Sequence, residues 1–128
     1  MIEHWKEGIT SYFCLLQDFD WPEQAFDLVF GCWILCYLSD LDRKKAYTGM
    51  KRSLAYGGHL ILFEPVLSKK ACVEEKRHTW QEQGMMIRQQ LMYKGELESQ
   101  GFDITYEHLW KKRGKVDHDI AVFVARLK

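Results

Sequence analysis

The chain has 128 residues, of which 47% are hydrophobic, so it is long enough for one domain with a modest core and too apolar for disorder. Lys and Arg together number 18, as do Asp and Glu, and this zero net charge argues against general binding to the phosphate backbone of nucleic acids. The four cysteines form no C-x-x-C pair and no paired metal spacing, so we interpret them as buried thiols and predict no metal site.

The amino-terminal part predicts one strand. Residues Ile9–Leu16 are apolar and rich in β-formers, which is typical of a strand, and a turn is predicted at Trp21-Pro22-Glu23. No apolar run in the sequence is long enough to span a membrane, and no signal peptide is evident. We therefore expect an intracellular protein, in the cytoplasm or the nucleus.

The stretch over residues 25–66 organises the rest of the chain. It contains a continuous apolar run through Leu28–Leu35, which predicts a strand buried on both faces. A helix follows, with Ser39 or Asp40 as its cap, and a second short apolar run ends at Pro65. A strand, a helix and a strand in this order predict a parallel pair joined by a right-handed crossover.

The predicted helix has one apolar face, and Gly57-Gly58 is expected to end it. The apolar face consists of Leu41, Ala46, Tyr47, Met50 and Leu54. In open α/β sheets, ligands bind beyond the carboxyl ends of the parallel strands. Here those ends are residues 33–37 and 64–66, so we expect any site at these two positions.

The carboxyl-terminal part predicts a helix and a hairpin. By composition the helix covers residues 82–100, with Met85 and Met86 among its apolar side chains. Phe102–Trp110 alternates, with its Phe, Ile and Tyr side chains expected inside, and Asp119–Leu127 forms a last apolar run. Two strands joined by a short turn suit an antiparallel hairpin.

Sequence motifs in the stretch over residues 25–66 resemble the second half of a class I S-adenosylmethionine-dependent methyltransferase. In that fold an Asp opens the fourth strand, as Asp27 does here, and an L-x-P-G-G-x-L turn leads into the fifth. The turn is matched by L-A-Y-G-G-H-L at residues 54–60, with Tyr56 where Pro is usual. The match places the fourth and fifth strands of the family's sheet within this chain.

Motifs on either side of this stretch are similar to those of one group within the class, the α-amino N-terminal protein methyltransferases. These are Y-F-C-L-L-Q-D-F at residues 12–19, Arg88, and Q-G-F at residues 100–102. The resemblance covers nearly the whole chain but only the later half of the family's fold. It implies a single partial domain over residues 1–128 of the α/β class, with a truncated Rossmann-like sheet that lacks its first two strands and ends in a β-hairpin.

The resemblance also implies positions for the cofactor and the substrate. Ile9–Leu16 would be the third strand, and Leu16 and Gln17 at its end would meet the adenine of S-adenosylmethionine. The alternative is that Gln17 is only a polar residue at the end of a strand and meets no cofactor. Trp33 matches the Trp of the family's W-x-x-x-H word and would bind the substrate, and the alternative for Trp33 is core packing.

Three polar residues that the family places around the substrate amine are altered here. The amine must lose a proton before it attacks the methyl group. The His of W-x-x-x-H falls on Tyr37, the Asn after the fifth strand on Pro65, and the Asp before the next helix on about Gln83, with Glu82 adjacent. Tyr37 and Glu82 are the resulting catalytic candidates, although a phenol with a pKa of about 10 is a poor base at neutral pH.

The glycine pattern argues against cofactor binding by this chain alone. The class I fold holds its cofactor with a glycine-rich turn after the first strand, and none of the nine glycines here forms a G-x-G. S-adenosylmethionine would thus be the cofactor only if the protein is active, and we expect this chain alone to bind none. We predict a degenerate methyltransferase-like module, a pseudoenzyme that binds or scaffolds in a larger assembly. The alternative is half of an N-terminal protein methyltransferase, completed by another chain or by upstream sequence.

The predicted strand Leu28–Leu35 needs a neighbour. It is apolar on both faces, it has few charges near it, and the first strand of the family's sheet has no counterpart in this sequence. Either Ile9–Leu16 pairs with it in the same chain, or a second chain, identical or not, adds strands by β-augmentation. We predict the second arrangement, and hence a homo-oligomer or a protein partner.

Overall fold

A computed structural model describes residues 2–3, 8–68, 78–80, 85–111 and 118–128. The strands are β1 (Ile2–Glu3), β2 (Ser11–Tyr12), β3 (Phe26–Cys32), β4 (Leu54–Leu67), β5 (His78–Trp80), β6 (Met85–Ile87), β7 (Phe102–Trp110) and β8 (His118–Leu127). They form a mixed sheet with the strand order β3-β4-β8-β7 and two short ribbons, β1-β2 and β5-β6. The helices are α1 (Asp40–Ser53) and α2 (Gln90–Ser99). Neither helix in this described part is long and apolar enough to cross a bilayer.

β3 and β4 are parallel and α1 connects them, as the sequence predicts. Leu28 to Cys32 pair with His59 to Phe63 in continuous register. The strand is shorter than the predicted Leu28–Leu35, because the chain turns at Trp33, whose φ is +55°, and Leu35 begins a 3-10 turn. A continuous apolar run does not distinguish a strand from a buried turn that follows it. The prediction that this strand is buried on both faces is also wrong, since Leu28 and Phe30 are 52% and 59% exposed.

α1 begins where the sequence predicts. The Oγ of Ser39 accepts a hydrogen bond from the backbone N–H of Asp42 at 3.2 Å and so caps the helix. The predicted residues Ala46, Tyr47 and Met50 are buried. Leu41, predicted for the same face, is 64% exposed, because the buried face instead runs through Arg43, three and four residues before Ala46 and Tyr47.

β4 begins directly after α1, at Leu54. The prediction that Gly57-Gly58 ends the helix is wrong, since both glycines lie within β4. Gly57 has φ +78°, in the left-handed region that favours glycine, and a Cβ on Gly58 would crowd the carbonyl oxygen of Ala55. The two glycines therefore allow a local irregularity between the helix end and the part of β4 that pairs with β3.

β7 and β8 form the predicted antiparallel hairpin, and β8 lies between β4 and β7 in the sheet. Phe102 is fully buried and Ile104 packs against the core, as the alternation predicts. Tyr106 is 55% exposed instead of inside, because the register shifts between Ile104 and Tyr106. A one-residue irregularity moves the following side chains to the other face of the sheet.

The prediction that Ile9–Leu16 is a strand of the main sheet is wrong. Only Ser11–Tyr12 pairs, in the separate ribbon with β1, and Leu16 begins a 3-10 turn over Leu16–Asp18. This turn and the residues after it pack on α1, where the indole of Trp21 occupies the space that a side chain on Gly49 would fill. Of the apolar side chains of this segment, Leu16 packs against the core, whereas Tyr12, Phe13 and Leu15 stay more than half exposed.

The predicted helix over residues 82–100 begins later, at Gln90. Met85 and Met86 lie in β6, which pairs with the neighbouring strand β5, and this pairing overrides their helical preference. Glu82 and Gln83 lie outside the described residues. Residues Gln90–Ser99 are helical, as the composition predicts.

The sheet has a covered face and an open face. The side chains of α1 and α2 join the main core on the covered face, where Leu60, Leu62 and Phe123 are at most 1% exposed. Alternate residues of the same strands point to the opposite side. On that open face Phe30 is 59% exposed and Trp110 is 50% exposed.

Candidate functional site

The loop over residues 33–38 lies at the carboxyl end of β3, where ligands of open α/β sheets bind. It contains Trp33 and Tyr37. The N–H of Trp33 donates to the carbonyl oxygen of Phe63 at 2.8 Å, which ties the start of the loop to β4. A left-handed backbone conformation is unfavourable for a residue as bulky as Trp33, so other contacts must hold this loop.

Glu64 of β4 holds the first part of the loop. Its side chain is fully buried, and its carboxylate accepts hydrogen bonds from the backbone N–H groups of Ile34 at 3.2 Å, Leu35 at 2.8 Å and Cys36 at 3.3 Å. Burial raises the pKa of Glu64 to about 7, although these N–H groups favour the carboxylate and oppose the rise. Both carboxylate oxygens are therefore engaged by the loop backbone.

Arg88 holds the second part of the loop. Its Nη1 donates to the carbonyl oxygen of Leu35 at 3.2 Å, and its Nη2 donates to the carbonyl oxygen of Leu38 at 2.8 Å. The same Nη1 lies 3.4 Å from the hydroxyl of Tyr93. The backbone of Arg88 is also fixed, since its carbonyl oxygen accepts from the N–H of Leu67 at 2.9 Å.

We name Glu64 and Arg88 the loop clamp. The negative carboxylate of Glu64 accepts from backbone N–H groups, and the positive guanidinium of Arg88 donates to backbone carbonyl groups of the same short segment. Each charge therefore faces the backbone dipoles at their end of opposite partial charge. Removal of either side chain would leave buried backbone groups without partners. The clamp therefore holds Trp33 and Tyr37 in fixed positions at the carboxyl end of β3.

Cys36 lies beside Glu64 and is not a reactive thiol. It is 1% exposed, and burial together with the neighbouring charge of Glu64 raises the pKa of its thiol far above the usual range. The thiolate is the nucleophilic form of cysteine, so it is not available here at neutral pH. Among the residues with a described position, no group of His, Cys, Asp and Glu side chains is arranged to hold a metal ion.

Trp33 packs in a second small cluster beside the main core. The buried members of this cluster are Cys36, Leu67, Met85 and Ile87. The indole meets the ring of His118 edge-on, with 5.8 Å between the ring centroids. These contacts support the packing role that the sequence offers as the alternative to substrate binding. Trp33 is only partly buried, so part of its surface is accessible.

Tyr37 and Pro65 occupy the altered positions of the substrate side. Tyr37 ends the 3-10 turn Leu35–Tyr37 and is 43% exposed. Pro65 is buried inside β4, opposite Ile120 of β8. Proline has no side-chain donor or acceptor, so these two positions present an exposed phenol and a buried apolar ring.

The predicted cofactor residues lie in a different part of the structure. Leu16 and Gln17 open the 3-10 turn that packs on α1, and Leu16 contacts the main core. Both side chains are half-buried. The structure thus brings Trp33 and Tyr37 together on one loop but does not place Leu16 or Gln17 at the end of a sheet strand.

Sequence reasoning missed the loop clamp. A signal for Glu64 was present, since an acidic residue directly after the apolar run L-I-L-F in a central strand predicts a buried, hydrogen-bonded carboxylate. Arg88 entered only as part of the resemblance. Its bond to Leu38 joins residues 50 positions apart, and no local pattern contains such a contact.

The sequence comparisons find a relative that matches part of the chain. No family model matches the chain. The chain is similar to alpha N-terminal protein methyltransferase 1 of Drosophila melanogaster, with 40% identity over 55 residues. The match covers 43% of this chain and 20% of that protein, so the chain spans about a fifth of the length of the curated relative that it matches.

Solved structures share the fold. A SAM-dependent methyltransferase from Leishmania major matches 87% of this chain and 42% of its own, with a TM-score of 0.72 and 16% identity. The cyclase SpnF matches 88% of this chain and 53% of its own, with a TM-score of 0.71 and 18% identity. These matches confirm the truncated class I methyltransferase fold that the sequence predicts. The cyclase among them illustrates that the fold does not determine the reaction.

Proposed function

We propose that this chain, which has a truncated class I methyltransferase fold, is a methyltransferase-like module that binds or scaffolds within a larger assembly without catalysing methyl transfer. The observation that carries the proposal is the chemistry of Tyr37 and Pro65, an exposed phenol and a buried proline where the resemblance implies His and Asn. Neither side chain is suited to take a proton from an amine at neutral pH.

Glu64 does not replace the missing base. Its pKa of about 7 would suit a general base, but its side chain is fully buried and accepts three backbone N–H groups of the loop. A general base must come within hydrogen-bond reach of the proton that it removes. The raised pKa of Glu64 follows from burial, and we assign the side chain a structural role.

The described residues do not fit S-adenosylmethionine on their own. Leu16, one of the two residues that the resemblance assigns to the adenine, packs against the main core, and the sequence contains no G-x-G turn. The cofactor would have to be held largely by residues outside this chain. This supports a module without its own cofactor, for which partner binding is the remaining role.

A second function is favoured by the 40% identity over 55 residues to the Drosophila alpha N-terminal protein methyltransferase 1. In that case the chain is half of an S-adenosylmethionine-dependent N-terminal protein methyltransferase, completed by another chain or by upstream sequence. The exposed Tyr37 would then bind the substrate through its hydroxyl, and a residue from the completing part would act as the base.

The test compares the purified chain with the full-length Drosophila enzyme as the positive control. Calorimetry measures binding of S-adenosylmethionine, and a methyl-transfer assay uses peptides that begin with Xaa-Pro-Lys. We expect neither binding nor turnover by the chain, because the cofactor turn and the base are both lacking. Cofactor affinity in the micromolar range, roughly −8 kcal/mol, or turnover would contradict the proposal.

A Tyr37→His variant separates the two functions further. It restores an imidazole at an exposed position, so it should fold like the parent chain. For a scaffolding module we expect the variant to be as inactive as the parent, alone and in its assembly. An assembly that transfers methyl groups faster with Tyr37→His than with the parent would favour the half-enzyme.

A further inference from the structure

The buried side chain of Arg43 is the first observation. It lies on α1 and is 1% exposed, and a charged side chain is rarely buried so completely unless it is paired. Its Nε and Nη2 donate to the carboxylate of Glu96 at 3.0 Å and 2.8 Å, and Nη2 also donates to Oδ1 of Asp40 at 2.8 Å. The remaining nitrogen, Nη1, donates to the carbonyl oxygen of Leu38 at 3.1 Å. Two acids therefore hold the guanidinium while its third nitrogen reaches the end of the loop over residues 33–38.

The carbonyl oxygen of Leu38 accepts from two arginines. Nη2 of Arg88, a member of the loop clamp, lies 2.8 Å from this oxygen, and Nη1 of Arg43 lies 3.1 Å from it. A carbonyl oxygen has two lone pairs, so the two guanidinium groups fill its acceptor positions. Leu38 directly precedes Ser39, which caps α1. The loop thus has a second anchor at the point where it passes into the helix.

Glu96 connects this anchor to α2. Its carboxylate accepts from two nitrogens of Arg43 and from the hydroxyl of Tyr47 at 3.1 Å, and both of these donors lie on α1. Burial and the neighbouring charge of Glu96 raise the pKa of Tyr47 far above its usual range, so the hydroxyl keeps its proton as a donor. The contact joins the two helices through charged and polar groups of fixed geometry.

Both supports of Leu38 depend on one stretch of chain. Arg88 lies two residues before Gln90, the first residue of α2, and Glu96 lies within the helix. The hydroxyl of Tyr93, a fully buried residue of α2, lies 3.4 Å from Nη1 of Arg88. The stretch therefore reaches the loop directly through Arg88 and indirectly through Glu96 and Arg43. A displacement of α2 would withdraw both supports together.

We propose that Arg43 is a positioning residue of the candidate site, and that the order of the loop carrying Trp33 and Tyr37 depends on the contact between Arg43 and Glu96 of α2. Arg43 acts on this loop through the carbonyl oxygen of Leu38. The inference goes beyond the proposed function, because it concerns how the loop is held and applies to a scaffolding module and to a half-enzyme alike.

The alternative is a purely structural ion pair. A buried pair of charges between two helices can contribute to the stability of the whole fold without any particular effect on the loop. The two roles differ in which backbone groups a substitution exposes. Loss of a positioning contact opens the loop locally while the sheet stays closed, whereas loss of general stability opens all elements together.

Amide hydrogen exchange of the purified chain, followed by NMR, distinguishes these roles. The loop reporters are the amides of Leu35 and Cys36, which donate to Glu64, and the sheet reporters are the amides of β4, which lies between β3 and β8. Glu96→Ala removes the carboxylate, and alanine is the best helix former, so α2 should persist. We expect the loop amides to exchange at least about tenfold faster than in the parent, and the sheet amides to change less than about twofold.

The matched control is Glu107→Ala. The side chains of Glu107 and Glu96 are both 27% exposed, and Glu107 accepts from Gln90 at 3.1 Å and Lys94 at 3.5 Å, so it too contacts α2. This substitution removes an acidic contact of α2 with β7 and leaves the contact with Arg43 intact. We therefore expect the loop amides of Glu107→Ala to exchange as slowly as those of the parent.

Arg43→Lys tests the other side of the contact. It keeps the positive charge but replaces the planar fork with a single ammonium, which cannot serve Glu96 and Leu38 with the same geometry. We expect faster exchange of the loop amides relative to the sheet amides in this variant as well. Circular dichroism checks that each variant folds. If Arg43→Lys does not fold, the partly exposed Glu96→Ala decides the question.

Two outcomes for Glu96→Ala would overturn the proposal. Loop and sheet amides that accelerate by the same factor, or a chain that loses its fold, would show that the ion pair only stabilises the whole structure. Loop amides that exchange as slowly as in the parent or no faster than in Glu107→Ala would show that the loop is held without Arg43. Neither outcome affects the non-catalytic assignment, which the methyl-transfer assay tests separately.

Discussion

The covered and open faces of the sheet contain similar residues in different surroundings. On the covered face Leu60 and Leu62 are at most 1% exposed, whereas on the open face Leu28 and Phe30 are more than half exposed. The first pair lies on β4 and the second on β3, and these two strands are neighbours in the sheet. Apolar side chains alone therefore do not define the core, which forms only where a second layer of structure covers the sheet.

The largest loss of stability is expected from a substitution on the covered face, compared with a similar substitution on the open face. We expect Leu60→Ala to lower the free energy of unfolding by about 2–5 kcal/mol, because it leaves a cavity under α1. Leu28→Ala is the matched control, and at a half-exposed position it should cost less than about 1 kcal/mol. Urea unfolding followed by tryptophan fluorescence measures both. Similar losses for the two variants would show that the open face is packed in solution.

Glu64 is a fully buried acidic residue on the covered face, and its substitution should give the next largest loss of stability. We expect Glu64→Gln to cost about 1–3 kcal/mol, because an amide offers a single acceptor oxygen to the three N–H groups and turns a donor towards one of them. Glu98→Gln on the exposed side of α2 is the control and should change stability little. An unchanged unfolding midpoint for Glu64→Gln would contradict the loop clamp.

The same side chain predicts how stability depends on pH. The pKa of Glu64 is raised from 4.5 to about 7 on folding, so the folded state binds the proton more tightly than the unfolded chain. This contribution is fully present below pH 4.5 and is lost as the pH rises to about 7, with a slope of at most about 1.4 kcal/mol per pH unit. Unfolding of the parent and of Glu64→Gln across this window should differ in slope. Parallel curves would contradict the assignment.

The smallest effect concerns the helix that covers one face. Ser39→Ala removes the hydroxyl that accepts the N–H of Asp42, and we expect a loss of about 1 kcal/mol. Thr48→Ala is the control, since the hydroxyl of Thr48 bonds only to the carbonyl of Lys44 within the exposed side of α1. Removal of that hydroxyl should be neutral or slightly stabilising. A larger loss for Thr48→Ala than for Ser39→Ala would contradict the capping role.

Local patterns predicted the elements whose signals lie close together in the sequence. The parallel pair β3 and β4, the Ser39 cap and the β7-β8 hairpin all follow from apolar runs, caps and turns. Elements that depend on distant contacts were wrong. Met85–Ile87 became a strand that pairs with β5 and contacts β4, and within Ile9–Leu16 only Ser11–Tyr12 pairs, in a ribbon with β1, while Leu16 begins a turn that contacts α1.

The site was predictable only as a location. The carboxyl ends of β3 and β4 were identified, and Tyr37 and Trp33 do share the loop there. The clamp was not identified, because Glu64 and Arg88 act through backbone groups of residues far away in the sequence. The substrate-binding role of Trp33 and the cofactor-binding role of Gln17 stay predictions, because both roles depend on molecules that are not among the contacts described above.

The position of β8 has a consequence for synthesis. It is the last strand of this chain, yet it lies between β4 and β7, so His59 of β4 meets Arg126 near the carboxyl terminus. While the chain is being made, the crossover of β3, α1 and β4 can form early, but β7 has no place in the sheet until β8 emerges from the ribosome. Strand pairs of such long separation fold slowly. The nascent chain therefore exposes β4 at its unpaired edge until β8 appears, and in that interval chaperones would have access to this edge.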